Sequence, residues 1–391
     1  MRPAPAAPGL PRPQDALVVD WDRAARWAGR LAPPGPTASR DELAALVGGL
    51  RDAAERAYPL ALRAARLGAA VEASGRQDQR AAVAVVDRPG WALAAARSFS
   101  GLAPVPERTP DGVTDQLRAG PATAQAAGLL SLLAGRVLGQ FDPFAADAGT
   151  GGRLVLVAPN VMEMRARLSA DATDFALWVC VHEQTHALQF AAAPWLADHL
   201  RHEVRALVAA LTGSGGGDEA RPADASAGSS GGRSGRPVDG LTAGLDRAVR
   251  ALRDRGRRDE RDDELGVLGL VLAPAQRARL DEVTAVMSLL EGHAEVAMDA
   301  VGARSIPTAR RLRARFDAQR RRRTSGADRV LRRLLGLDAK MAQYRRGAAF
   351  VRGVRSAGGR HALDAVWSGP AALPTAREIG DPRAWVRRVH G

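Results

Sequence analysis

Lysine is almost missing from this 391-residue chain: of 56 basic residues, only Lys340 is not an arginine. The formal net charge of +13 would ordinarily raise nucleic acid or a membrane surface as a partner. Arginine in place of lysine, together with 41 glycines, 24 prolines and abundant alanine, is what GC-rich codon usage produces without selection for a polyanion. Nucleic acid is therefore not the expected partner. Cysteine occurs once, at Cys180, so no intrachain disulfide can form and a reducing, cytoplasmic setting is expected. Aromatic residues make up only 4% of the chain, which leaves Leu, Val and Ala to fill most of the core. A membrane-spanning run is lacking too. The most apolar long stretch, Phe175 to Leu196, contains His182, Glu183, Gln184 and His186, groups that are costly in lipid. Residues 1–18 are Pro-rich without an apolar h-region and read as a flexible tail rather than a signal peptide.

What is present points to helix. The chain is 46% hydrophobic, and its Ala- and Leu-rich stretches lose little side-chain freedom on becoming helical, whereas extended β-branched runs are few. The expected fold class is mainly α with a small β element. Helices are predicted at Asp20 to Leu31, from Ser39 (with Glu42 at capping-box spacing) to about Ala73, from Asp87-Arg88-Pro89 to Phe99, and from Pro121 to Val137. Further helices are predicted from about Asp171 to Ala192, Asp281 to Val301, Thr308 to Leu335 with a break around Ser325-Gly326, and from Leu337 through Val351. Strands are predicted at Ala82 to Val86 and at Arg153 to Val157, the latter closed by Pro159-Asn160. Residues 213–240 hold almost no apolar side chain and read as a disordered Gly/Ser-rich insertion. Residues 19–212 and 241–391 are expected to form one domain around it, because the helix after the insertion completes a site begun before it.

The central motif is Val181-His182-Glu183-Gln184-Thr185-His186-Ala187, a match to H-E-x-x-H. Histidines four apart on a helix stand one above the other, so both imidazoles can reach one zinc ion. Glu183, about 100° round the helix from His182, can approach the water without ligating the metal. There it can act as general base on water whose pKa the zinc has lowered. The motif sits in a strongly apolar helix, where two histidines and a glutamate need partners that metal ligation supplies.

A catalytic zinc usually takes three protein ligands plus water. The stretch Leu289 to Asp299 offers Glu291, His293, Glu295 and Asp299 on one apolar helix. Glu291 and Glu295 nearly share a face, whereas His293 lies about 200° from Glu291. Glu291 is favoured as the third ligand, with Glu295 behind it accepting a hydrogen bond from a ligand histidine and fixing its tautomer. The alternative register, Glu295 as ligand and Asp299 behind it, stays open. His293 either faces the substrate or completes a polar network.

Other residues are weaker candidates. An amide-cleaving site needs a donor to the developing oxyanion, and of the two tyrosines, Tyr58 and Tyr344, the second follows the ligand helix and is the candidate. The strand Leu154 to Val157 could bind an extended peptide by strand addition, or it is a core strand. Cys180 reads as a small buried hydrophobe. The run Arg320 to Arg323, near Arg310, Arg311, Arg313 and Arg315, reads as a solvated helix face rather than a phosphate-binding one.

The H-E-x-x-H helix followed by a glutamate on a later helix resembles the gluzincin arrangement. Glu291-Gly292-His293-Ala294 is similar to the E-G-x-x step that carries the zinc-ligand glutamate in aminopeptidase-N-like enzymes. More closely, the chain resembles the actinobacterial type 2 zincin-like metallopeptidase family, described as associated with deazaflavin-coenzyme biosynthesis. The stretches that carry the resemblance run from about residue 80 to the C-terminus: Val86 to Trp91, His182 to Phe190, Pro194 to Leu196, Leu290 to Glu295 and Leu337 to Tyr344. The resemblance implies a zincin-like fold, a bound zinc ion and a peptidase activity on a peptide or protein substrate. Two rivals are kept: a zincin-fold scaffold that holds zinc and turns over nothing, and an Arg-rich nucleic-acid-binding protein.

Overall fold

The computed structural model describes residues 19–102, 113–145, 151–212, 274–322 and 337–391, with side chains placed except at 113–119, 210–212, 275, 320–322 and 337–345. The chain is mainly helical around one small sheet, as its composition requires. Asp20 opens α1 (Trp21–Leu31) by accepting the Arg23 N–H at 2.8 Å. Helix α2 (Arg40–Ala65) opens on the complete capping box of Ser39 and Glu42. It stops at Arg66, whose backbone is left-handed with φ 61°, and a separate α3 (Gly68–Ala73) follows. The single helix expected to reach Ala73 is therefore two.

Next come β1 (Ala82–Val86), α4 (Arg88–Leu102), α5 (Val113–Ala134), β2 (Gly139–Asp142) and β3 (Arg153–Val157). Pro121 lies inside α5 rather than at its start. Then follow α6 (Ala158–Leu168), α7 (Ala172–Ala192), α8 (Leu196–Thr212), α9 (Pro274–Ala300), α10 (Ala309–Arg322) and α11 (Leu337–Gly358). Two 3₁₀ turns, Ala362–Trp367 and Pro370–Ala372, lead into α12 (Ala376–Gly380) and α13 (Pro382–His390). The insertion at 213–240 lies outside the described residues, as do the tail at 1–18 and the Ser325-Gly326 break. No described helix is long and apolar enough to cross a membrane.

The sheet order is β1-β3-β2, with β1 parallel and β2 antiparallel to the central β3. Successive β3 side chains point to opposite faces. Leu154 and Leu156 enter the main core with α2, α7 and α9, whereas Val155 and Val157 enter a second core with α1, α4 and α5. A strand buried on both faces with a partner on each side is a core strand. The strand-addition reading of Leu154 to Val157 is thereby corrected, and among the described residues the outer strands of this sheet are β1 and β2.

A buried arginine pins the two layers together. Arg88, at the start of α4, donates to Asn160 Oδ1, to the carbonyls of Pro33 and Pro34, and to Glu163. Asn160 in turn donates to the carbonyls of Ala134 and Val137, just before β2. Trp91 holds β2 directly, its Nε1–H donating to Gln140 Oε1 at 3.0 Å. Across the molecule, α9 and α11 cross at Gly292 and Gly347, where a Cβ on either residue would run into the backbone of the other helix. Only glycine permits that approach, and it sets the depth at which α9 carries Glu291.

Candidate metal centre

Helix α7 is apolar nearly all round, so its few polar side chains act from inside the protein. Asp171 caps it through the Asp174 N–H, and Gln184 donates to the Ala54 carbonyl, fixing α7 against α2. His182 and His186 then project toward the turn of α9 that carries Glu291. Their Nε2 atoms lie 3.2 Å apart, and Glu291 Oε2 lies 3.4 Å from His182 Nε2 and 3.7 Å from His186 Nε2. All three donor atoms fall within 4.8 Å of one another, and this is the group among the described residues that can hold a metal ion. Tetrahedral zinc with bonds of about 2.0–2.1 Å sets neighbouring donors about 3.3 Å apart. The observed spacings fit that geometry, and the donor set of two imidazoles and one carboxylate fits zinc.

The electrostatics follow from this convergence. Burial alone would discharge the His186 ring, but its hydrogen bond to Glu291 and the charges of Glu291 and Glu183 outweigh that and raise it to about 9. Burial likewise works against the Glu291 carboxylate, yet the hydrogen bonds from His182 and His186 hold it well below the usual range. A zinc ion entering here would replace the proton that this cluster otherwise retains.

Glu183 is buried beside the three donors but is not one of them. Burial raises its pKa, opposed by the two histidines and by the Phe141 backbone N–H, which donates to the carboxylate. That donor comes from β2, which packs directly on Glu183 at Gly139. Gly139 and the whole of β2 were not foreseen. Gly-Gln-Phe-Asp is four residues long and poor in β-formers, so neither propensity nor alternation marks it.

The carboxylates expected behind the ligands are engaged elsewhere. Glu295 accepts from Arg313 at 2.8 Å, and Asp299 accepts from Arg313 and Arg352, tying α9 to α10 and α11. A step of four residues advances one turn along α9, far enough to bring these groups to the arginines instead of the histidines. The residue that meets His186 from behind is Gln189, whose Oε1 lies 2.9 Å from His186 Nδ1. His293 joins a polar network, as one of its two expected roles allowed: it is buried between Gln189 and the Ala65 carbonyl. Burial and the nearby Arg355 charge lower its pKa to about 3, so it stays neutral.

Tyr344 falls on α11, but its side chain lies outside those described. Cys180 is fully buried, and burial pushes its thiol pKa up, which suits the hydrophobic role expected of it. Arg313 and Arg315 turn inward, the latter to the carbonyls of Leu168 and Ser169 at the end of α6.

No curated protein matches the sequence. Among solved structures, the chain is similar to one from Chloroflexus aurantiacus described as a "putative hydrolase with a novel fold", at 28% identity and a TM-score of 0.56. That likeness covers 95% of this chain and 98% of the other. The model of the zincin-like metallopeptidase family matches residues 19–386, nearly the whole length, and the protein belongs to that family.

Proposed function

We propose that this protein is a zinc-dependent peptidase that hydrolyses a peptide or related amide bond. His182, His186 and Glu291 would hold the zinc, and Glu183 would take the proton from the attacking water. When bound, zinc supplies Lewis acidity, polarising the scissile carbonyl and making water easier to deprotonate.

The observation that carries this reading is the placement of Glu183. A scaffold that merely stores zinc has no use for a buried carboxylate raised in pKa beside the three donors and excluded from their set. Such a group is suited to accept a proton and pass it to a leaving amine. The Phe141 N–H holds its carboxylate in place. Tyr344 is the proposed donor to the oxyanion.

The test is hydrolysis of a mixed peptide library by zinc-loaded wild type and Glu183→Gln proteins. We expect cleavage by the wild type and a loss of about 10²-fold or more in the variant, with zinc content unchanged. A zinc-loaded wild type that cleaves nothing, or a variant as active as wild type, would contradict the proposal.

A further inference from the structure

From His186, two buried side chains behind the candidate metal centre, Gln189 and His293, continue a hydrogen-bonded chain whose direction can be worked out. Gln189 Nε2 lies 2.8 Å from the Leu290 carbonyl oxygen, which can only accept. That contact fixes the orientation of the amide, so the nitrogen faces Leu290 and Oε1 faces His186. His186 Nδ1, at 2.9 Å from Oε1, must then carry a proton. On the other side, Gln189 Nε2 lies 3.1 Å from His293 Nδ1, which must accept. His293 consequently carries its proton on Nε2, where it meets the Ala65 carbonyl at 3.0 Å. Two independent acceptors, Leu290 O and Ala65 O, thus require the same arrangement.

We propose that Gln189 and His293 are positioning residues that set His186 in the tautomer able to bind metal. With Nδ1–H engaged, the lone pair of His186 lies on Nε2, the atom that faces His182 and Glu291. All three donors run the same way, from His186 through Gln189 and His293 to Ala65, so each bond polarises the next. The chain ends at the last residue of α2, the negative end of a 26-residue helix. Donation toward that end makes His186 the more basic ligand. Gln189 does a second thing: its bond to Leu290 ties α7 to the residue before Glu291, so one side chain aligns two of the ligands. Gln189 and His293 have no measurable surface and 1% exposure respectively, so water cannot substitute for either contact.

The inference rests on the zinc reading for its purpose but not for its first test. In ¹⁵N-labelled wild-type protein without metal, imidazole correlation spectra should show His293 protonated on Nε2 with a bare Nδ1 and, above the pH of about 9 at which His186 gives up its charge, the remaining His186 proton on Nδ1. A proton on His293 Nδ1, or none on His186 Nδ1, would overturn the chain whatever the metal does. Zinc affinity by chelator competition then tests its purpose. Gln189→Ala and His293→Phe should each bind zinc about 10–100-fold more weakly than wild type. His293→Gln should recover most of the loss, because its amide can accept from Gln189 and donate to Ala65. Wild-type affinity in His293→Phe would refute the positioning role. Absence of zinc binding by the wild type would refute the metal reading instead, and the spectra would still judge the chain itself.

Discussion

Gly139 on β2 and Glu183 on α7 meet with no space between them: a Cβ at position 139 would lie 2.7 Å from Glu183 Cγ and 2.9 Å from its Oε1. The sheet thus serves as the wall against which the proposed base is set. Gly139→Ala should displace the carboxylate, because the buried Glu183 has nowhere to retreat. Peptide hydrolysis should fall by about 10²-fold, the scale of losing a positioned base, while zinc content stays that of wild type. An active Gly139→Ala protein would show that Glu183 does not depend on this contact.

The two glutamates of α9 should separate cleanly. Glu291→Ala removes one of three donors and should weaken zinc binding by more than the roughly 10–100-fold typical of a residue behind a ligand. Glu295→Ala breaks its side-chain bond with Arg313 and should leave zinc affinity near wild type, while lowering the denaturation midpoint. Equal losses of affinity in the two variants would contradict the ligand set drawn here.

Zinc binding should release protons. The metal-free His186 titrates at about 9, so near neutral pH zinc must displace its proton, and affinity should rise about tenfold per pH unit from pH 6 to 8. The same raised pKa has a stability consequence in the metal-free protein. The contribution of the charged His186–Glu291 pair is fully present below the unfolded imidazole value of about 6.5 and is lost as pH rises through about 9. Calorimetric titration in buffers of different ionisation enthalpy counts the protons. A pH-independent affinity would show that the cluster retains none.

Much of this site was legible in the chain because its logic is local. Helical spacing alone places His182 above His186, and the apolar run around them says that both are inside. Glu291 was reachable for the same reason, as a carboxylate on a second apolar helix. What failed was the step from helix face to neighbour. Glu295 shares a face with Glu291, but its partner is decided by α10, whose Arg313 arrives from 18 residues further on. Gln189 could have been found as the polar residue one turn past His186 on the same face. Its partners, Leu290 and His293, lie more than 100 residues away and depend on how α7 meets α9. Gly292 and Gly347 carried no signal beyond being glycines, since a close helix crossing needs both helices to be seen together. The short β2 and the Pro-started α6 were missed because four weak residues and a proline after a strand read as turn.

Metal content tests the central claim most directly. Protein purified without added metal and then equilibrated with zinc should hold about one ion per chain. His182→Ala, His186→Ala and Glu291→Ala should each lose most of it while keeping the wild-type circular dichroism spectrum. A folded wild-type protein that binds no zinc, or single-ligand variants that bind it as well as wild type, would contradict the account.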